Sequence, residues 1–521
     1  MRASTSGEQI DTRPLYIEEW LDSLPYIDFQ KTGQLLYEAT LATNQQEIKP
    51  SVRLELVELY NRPYQYYLDS QIKAGAQHTL QSIETMQSQI SILKRIAVNL
   101  GYACKLAAEQ ELKKKSLWRQ SKPPLHAMQL SLNYLSHALI FSYLEYSPTP
   151  KNVWRELNFI YDFAETLGKE NTPLPLPASE TKHNTSTIAQ AYKRIVLASL
   201  SDPHHMPFGA IWEIYEQLYF WSSHVHITRF GLMDKPSGYF VVNLDSDSAP
   251  LPYFKFNKDR TTDKHRLIDA TRLSNIVEEK LISINKGEGQ KEGFKLSPHY
   301  AKLILGHLSK AWGLPPKRYF PREERKGKLY LTYGLNAVYF FINEEIEFIS
   351  DHNNSDTNTI IDEPEVNNEA IMSSNYKVEQ WEIVDQGSGG FAVMRSAKSA
   401  YNIRVGDLVA VRNETEEQNW LIGVIRWMIV RQSTIYKIGI QIISNEVLPV
   451  TVRARSGSAL DSQFRRALLF SEEKQTSIIT GKGLYMDNRE LEIKTQDKSF
   501  KVKATAMKES TLGFEYFNIQ Y

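Results

Sequence analysis

One cysteine, Cys104, stands in a chain of 521 residues. A single thiol closes no internal disulfide, and no CxxC pair exists for zinc or redox work. Leu100 and Ala107 flank it at helical spacing, so an inert core thiol is expected. Net charge is also missing, since 61 Lys and Arg offset 61 Asp and Glu. No global field recruits DNA, RNA or a membrane surface, and any anion site has to be local. Nor is there a long apolar run. Met1 to Leu15 lacks the apolar core of a secretory signal. The most apolar helical stretch, Met128 to Leu144, is broken by Gln129, Ser131, Asn133, Ser136, His137 and Ser142, too polar and too short to cross a bilayer. A cytoplasmic location without membrane insertion is expected.

Catalytic patterns are absent as well. There is no G-x-S-x-G elbow, no H-E-x-x-H and no Walker loop. No histidine follows His352, so Ser388 in its glycine turn has no nearby sequence candidate for a base. His204-His205 and the pair His224 and His226 suggest a metal, but i,i+2 spacing sends two rings to different helix faces. The glycines of Asn285 to Lys295 lack the Lys-Ser/Thr of a phosphate loop. A binding protein without metal or catalytic residues is expected, not an enzyme.

What is present divides into helix and then strand. Residues 1–230 read as an all-helical domain. Ile83, Met86, Ile90, Leu93, Ala97, Leu100, Cys104 and Ala107 share one face of a long helix expected over about 65–115. Further helices are expected at Leu125 to Tyr146, Val153 to Leu167, 188–200 and 207–226. Trp154, Leu157 and Tyr161 match the opening of a tetratricopeptide repeat, but the match does not recur. Residues 231–315 read as a small α+β connector, with a strand from Gly238 to Leu244 and helices at 270–284 and 297–312.

From 316 the chain reads as β. Strands are expected at Lys328–Tyr333, Leu335–Ile342, Val378–Val384, Phe391–Met394, Leu408–Val411, Leu421–Val430, Tyr436–Ile443 and Val447–Val452. Short strands at this spacing indicate a barrel or sandwich. Between them, Glu344 to Ala370 carries nine acidic residues and no Lys or Arg. That composition predicts a mobile insertion over 344–375. Residues 453–521 read as a further β extension.

Three pieces of the β half carry chemistry. Arg318, Arg322 and Arg325 precede the first strand. A guanidinium fork holds phosphate oxygens bidentately, stacks on a purine, or pairs with guanine O6 and N7. Asp385, Gly387, Ser388, Gly389 and Gly390 form a turn between two strands. Glycines there let backbone N–H groups approach an anion, and Asp385 is an acceptor suited to the N1–H and N2–H edge of guanine. The third piece is the strand pair Trp420 to Trp427 and Ile438 to Ile442. A ligand combining phosphates with guanines satisfies the first two pieces at once.

These residues resemble the PilZ family, whose hallmark is RxxxR before a β-barrel and then [DN]xSxxG. Arg318 and Arg322 match the first motif, and Asp385 and Gly390 match the ends of the second. Gly387 stands where the family has serine, with Ser388 one place later. The resemblance covers residues 315–450 and implies a six-stranded barrel that binds cyclic di-GMP. It implies that the arginines hold phosphate and guanine and that the second motif grips base and backbone. The expected function is a cyclic di-GMP effector whose helical domain presents a surface to a protein partner. The alternative is a PilZ-like scaffold that binds no nucleotide.

Overall fold

The apolar stripe from Ile83 to Ala107 lies on a single helix, and Cys104 is fully buried on it. The computed structural model describes residues 11–73, 83–113, 123–176, 185–286, 298–313, 327–345, 376–397, 403–414, 420–432, 434–455, 463–472, 475–495 and 498–521. These fall into two units, before and after 317/318.

The first unit begins with α1 (Pro14–Asp22), α2 (Phe29–Asn44), α3 (Pro50–Tyr67), α4 (Ile83–Lys113), α5 (Leu125–Leu144) and α6 (Val153–Thr166). Two short paired strands, β1 (Leu174–Pro175) and β2 (Thr185–Ser186), precede α7 (Ile188–Leu200) and α8 (Ala210–Trp221). The helix expected from 65 therefore starts at Ile83, and Leu68–Lys73 instead closes α3 as a π-helical turn. The central helix is α5, buried at every position but His126. Its serines and His137 are hydrogen-bonded inside the bundle: Ser131 donates to the Gly101 carbonyl at 2.9 Å, Ser136 and Ser142 donate to the Leu132 and Ala138 carbonyls one turn back, and His137 Nδ1 meets Tyr64 Oη at 3.0 Å. Interior hydrogen bonding is what these interruptions of the apolar helix serve.

The connector belongs to the same unit. Strands β3 (His226–Arg229), β4 (Tyr239–Asn243), β5 (Leu251–Pro252) and β6 (His265–Asp269) form an antiparallel sheet in the order β3-β6-β4-β5, followed by α9 (Thr271–Asn285) and α10 (Pro298–Trp312). One face of α6 holds this sheet to the helices. Arg266 meets Glu165 at 2.5 Å and Lys264 meets Asp162 at 2.8 Å. Asn158 Nδ2 donates to the Ser246 carbonyl at 2.9 Å, and Asp247 accepts the Asn152 N–H at 2.8 Å, at the start of α6. Trp312 Nε1 donates to the Leu197 carbonyl at 3.2 Å and seats α10 on α7.

The second unit holds two closed barrels. The first comprises β7 (Lys328–Tyr333), β8 (Glu379–Gly387), β9 (Gly390–Ser396), β10 (Leu408–Asn413), β11 (Leu421–Arg431) and β12 (Ile435–Ser444), ordered β10-β11-β12-β9-β8-β7. The second comprises β13 (Leu448–Ala454), β14 (Arg465–Glu472), β15 (Gln475–Thr480), β16 (Glu490–Lys494), β17 (Ser499–Ser510) and β18 (Glu515–Gln520), ordered β13-β14-β15-β18-β17-β16. The connectivity is the same in both: first strand beside second and fourth, third beside sixth, fifth between fourth and sixth. The segment read as a β extension is thus a barrel with its own core of Val452, Ile478, Leu491, Ile493 and Phe517. The strand at Val447–Val452, assigned by spacing to the first barrel, pairs with β14 and β16 of the second.

One expected strand is a helix. Leu335–Ile342 forms α11, entered through Gly334 at φ 86°. Val338 and Tyr339 on it pack with Leu408, Ile422 and Val424 of the first barrel and Leu468, Phe470 and Tyr516 of the second. Apolar contacts with both barrels explain why the segment has no amphipathic period from which helix could be read.

Candidate functional site

β8 and β9 are joined by a two-residue turn, Ser388-Gly389, with Gly387 facing Gly390 across it. Both turn residues are exposed. The turn is held on its far side by β12, where Ile442 N–H donates to the Gly389 carbonyl at 3.0 Å and Gly390 lies opposite Gln441. Gly390 has φ 152°, and a Cβ there would stand 1.9 Å from the Ile440 carbonyl oxygen. Only glycine lets the two backbones approach so closely.

A register shift between Ile383 and Asp385 decides where Asp385 points. Ile383 is buried and faces the barrel interior with its partner Val393. Strict alternation would carry Asp385 inward too, and the bulge turns it to the outer face opposite Ala392. Residues opposite one another in antiparallel strands share a face. One row across the outer surface therefore runs Asp385, Ala392, Gly439, Trp427, and the next runs Gly387, Gly390, Gln441. A Cβ at Gly439 would fall 1.9 Å from Trp427 Nε1, so the indole lies directly over that glycine. The result is a stretch of small residues, part-exposed at Gly387 and Gly390 and buried at Ala392 and Gly439, with Asp385 at one margin and the Trp427 indole, packed over Gly439, at the other.

A second register shift, between Ile425 and Trp427, leaves Arg426 as the additional residue of β11. Its Nε donates to Gln441 Oε1 at 2.7 Å, beside that stretch. Chemically, such a surface offers a carboxylate for N–H donors, an aromatic face for a planar base, glycine backbone for close approach and a guanidinium for an anion.

Of the residues expected from sequence, Asp385, Gly387, Ser388, Gly389 and Gly390 are brought together at this end of the barrel. Arg318, Arg322 and Arg325 lie outside the described residues, as does most of the acidic insertion. The chain downstream of the arginines is described from Gly327, whose carbonyl accepts the Ile383 N–H at 2.8 Å, two residues from Asp385. Arg426 and Trp427 were read from sequence only as strand residues. Their proximity to the turn depends on cross-strand register and a bulge, which local patterning does not encode.

The other end of the barrel carries a separate polar group. Arg404 N–H donates to Asp407 Oδ2 at 2.7 Å, and burial pushes the Asp407 carboxyl up to about 6. Burial first, then the charges of Glu379 and Asp407, raises the Tyr333 phenol. Arg395 pairs with Glu379 at 3.1 Å. Among the described residues no cluster of three or more His, Cys, Asp or Glu side chains is placed to hold a metal ion.

Comparison with known proteins covers both units of the chain. The family model described as "Cyclic-di-GMP receptor FimW, N-terminal domain" matches residues 16–232. The model described as "Cyclic-di-GMP receptor FimW, middle PilZ domain" matches 239–370 and 349–449, so that likeness begins at β4 of the connector sheet. A curated protein of Pseudomonas aeruginosa, the cyclic-di-GMP receptor FimW, is 22% identical across 97% of this chain and 90% of its own length.

Proposed function

The chain is a PilZ-family protein, and on that premise we propose that it is a cyclic di-GMP effector. The ligand sits on the outer face of the first barrel between Asp385 and Trp427. The observation that carries this reading is the part-exposed glycine pair Gly387 and Gly390 beside the row of Ala392 and Gly439, with a carboxylate at one edge and an indole over Gly439 at the other. Asp385 accepts the guanine N1–H and N2–H, and the glycine backbone admits the base or the phosphate.

Arg318, Arg322 and Arg325 supply phosphate and guanine contacts in this proposal. The described chain leaves their segment at Gly327, pinned to Ile383 beside the site. Arg322 precedes Gly327 by five positions, at most about 18 Å of chain. Ser388, exposed in the turn, takes the part that the family gives to a serine at the position of Gly387. The arginine segment is also the covalent link between the two units, so a ligand that holds it couples the barrel to the helical unit. Ligand then biases the helical unit's affinity for a protein partner by whatever difference it makes between the two states. The chain acts as a receptor in the cytoplasm, not as an enzyme. No helix among the described residues is long and apolar enough to cross a membrane.

Calorimetric titration with cyclic di-GMP, beside the Arg318→Ala/Arg322→Ala double variant, tests this. Each lost charge-assisted contact is worth about 1.5–3 kcal/mol, so the double variant loses measurable binding. Absence of heat from the folded wild-type chain sinks the receptor reading and leaves a PilZ scaffold.

A further inference from the structure

Arg426 is committed elsewhere in this structure. Its Nη1 meets Glu509 Oε1 at 2.5 Å and its Nη2 meets Glu509 Oε2 at 2.9 Å, while Nε holds Gln441. Glu509 belongs to β17 of the second barrel and lies at a register shift of its own, between Met507 and Glu509. Two irregularities in two barrels thus bring together a guanidinium beside the candidate ligand surface and a carboxylate from the neighbouring barrel. A carboxylate filling both prongs of a guanidinium is the stereochemical equivalent of two phosphate oxygens.

We propose that Arg426 is a further anion-binding residue of the first barrel, and that Glu509 of the second barrel is its internal competitor. A phosphodiester on the glycine pair displaces the Glu509 carboxylate from Arg426. Binding thereby releases the ion pair between Arg426 and the second barrel. Gln441, the cross-strand neighbour of Gly390, holds Arg426 through Nε and leaves the two Nη groups to exchange partners. The second barrel has no arginine pair before β13 and no Asp-x-Ser/Gly turn between β14 and β15, where Glu472 and Gln475 face one another. Its part is to supply the competing carboxylate and not a second copy of the ligand surface.

This proposal rests on the receptor reading, and one titration series separates the two. Cyclic di-GMP is titrated into the full chain as wild type, Glu509→Gln, Arg426→Ala and the double variant, with melting curves to show that each is folded. Releasing a partly exposed ion pair tightens binding about two- to fivefold in Glu509→Gln. Loss of a charge-assisted contact weakens binding about tenfold or more in Arg426→Ala. In the double variant the gain from Glu509→Gln disappears, because no guanidinium remains to be released. Equal affinity of Glu509→Gln and wild type overturns the competitor role, and full affinity in Arg426→Ala overturns the anion-binding role. A wild type that is silent while Glu509→Gln binds supports the latch strongly. If all four folded proteins are silent, the receptor reading falls and takes this one with it.

Discussion

Replacing Gly390 with alanine tests whether the turn is a built feature of the barrel. The added Cβ would lie 1.9 Å from the Ile440 carbonyl oxygen, 3.0 Å from its carbon and 3.2 Å from Gln441 Cα. All three are backbone atoms, so no flexible side chain can swing aside. The barrel must either accept the clash or move the turn away from β12. The first course costs about 1–3 kcal/mol for overpacking. The φ of 152°, poorly tolerated by an L side chain, adds about 1–3 kcal/mol. The second course gives up the bond from Ile442 N–H to Gly389 and its neighbours, at about 0.5–1.5 kcal/mol each. Either way a loss of about 2–4 kcal/mol is expected, since the terms are alternatives in part. For a unit of this size that is a fall in Tm of roughly 5–12 °C. Gly389→Ala is the control, because its Cβ would meet no heavy atom within 4 Å. It should stay within about 0.5 kcal/mol of wild type. The assay is thermal melting of the full chain, following the transition of the barrel unit. A Gly390→Ala protein that melts with wild type, or a Gly389→Ala protein that falls as far, would refute the reasoning.

Two further perturbations probe other parts of the chain. Burial raises the Asp407 carboxyl to about 6 from an ordinary value near 4. Between those values the unfolded chain gives up a proton that the folded chain keeps, so stability falls as pH rises from 4 to 6 and stays lower above it. With its partial exposure discounted, the deficit at pH 7 is about 1–2 kcal/mol. Asp407→Asn keeps an acceptor for Arg404 N–H, and denaturant unfolding at pH 4 and pH 7 should show the gain only at pH 7. In the first unit, Arg266→Ala leaves Glu165 without its guanidinium partner under the connector sheet. A loss of about 2–3 kcal/mol is expected in guanidinium unfolding, less than for a fully buried pair because the Glu165 side chain retains 25% of its exposure.

The glycine turn of the candidate site was legible because it is local. The turn from Asp385 to Gly390 announces itself in three glycines within four residues, and the structure places it between two strands as expected. Helices with a clean apolar period, such as α7 and α10, were found nearly to their ends. Leu335–Ile342 failed for the opposite reason, since contacts with both barrels removed the period that tells helix from strand. The orientation of Asp385 was not readable either. It hangs on one extra residue in β8, and a shift of one residue reverses the face of every side chain beyond it.

The second barrel marks a deeper limit. Strands at 448–454 follow 435–444 with the same short spacing that runs through the first barrel, so spacing alone joins them. What assigns β13 is its hydrogen bonding to β14 and to β16, a strand some forty residues later. Closure of a barrel is a long-range condition, met only when the sixth strand finds the third and the fourth finds the first. Both barrels meet it with the same pairing scheme, yet only the first carries the glycine turn at the junction of its second and third strands. Shared topology therefore does not imply shared function, because turns and bulges are what the pairing scheme leaves free to vary. In this chain those bulges place Arg426 on one barrel against Glu509 on the other. That ion pair adds a charged contact to the apolar core that the two barrels share.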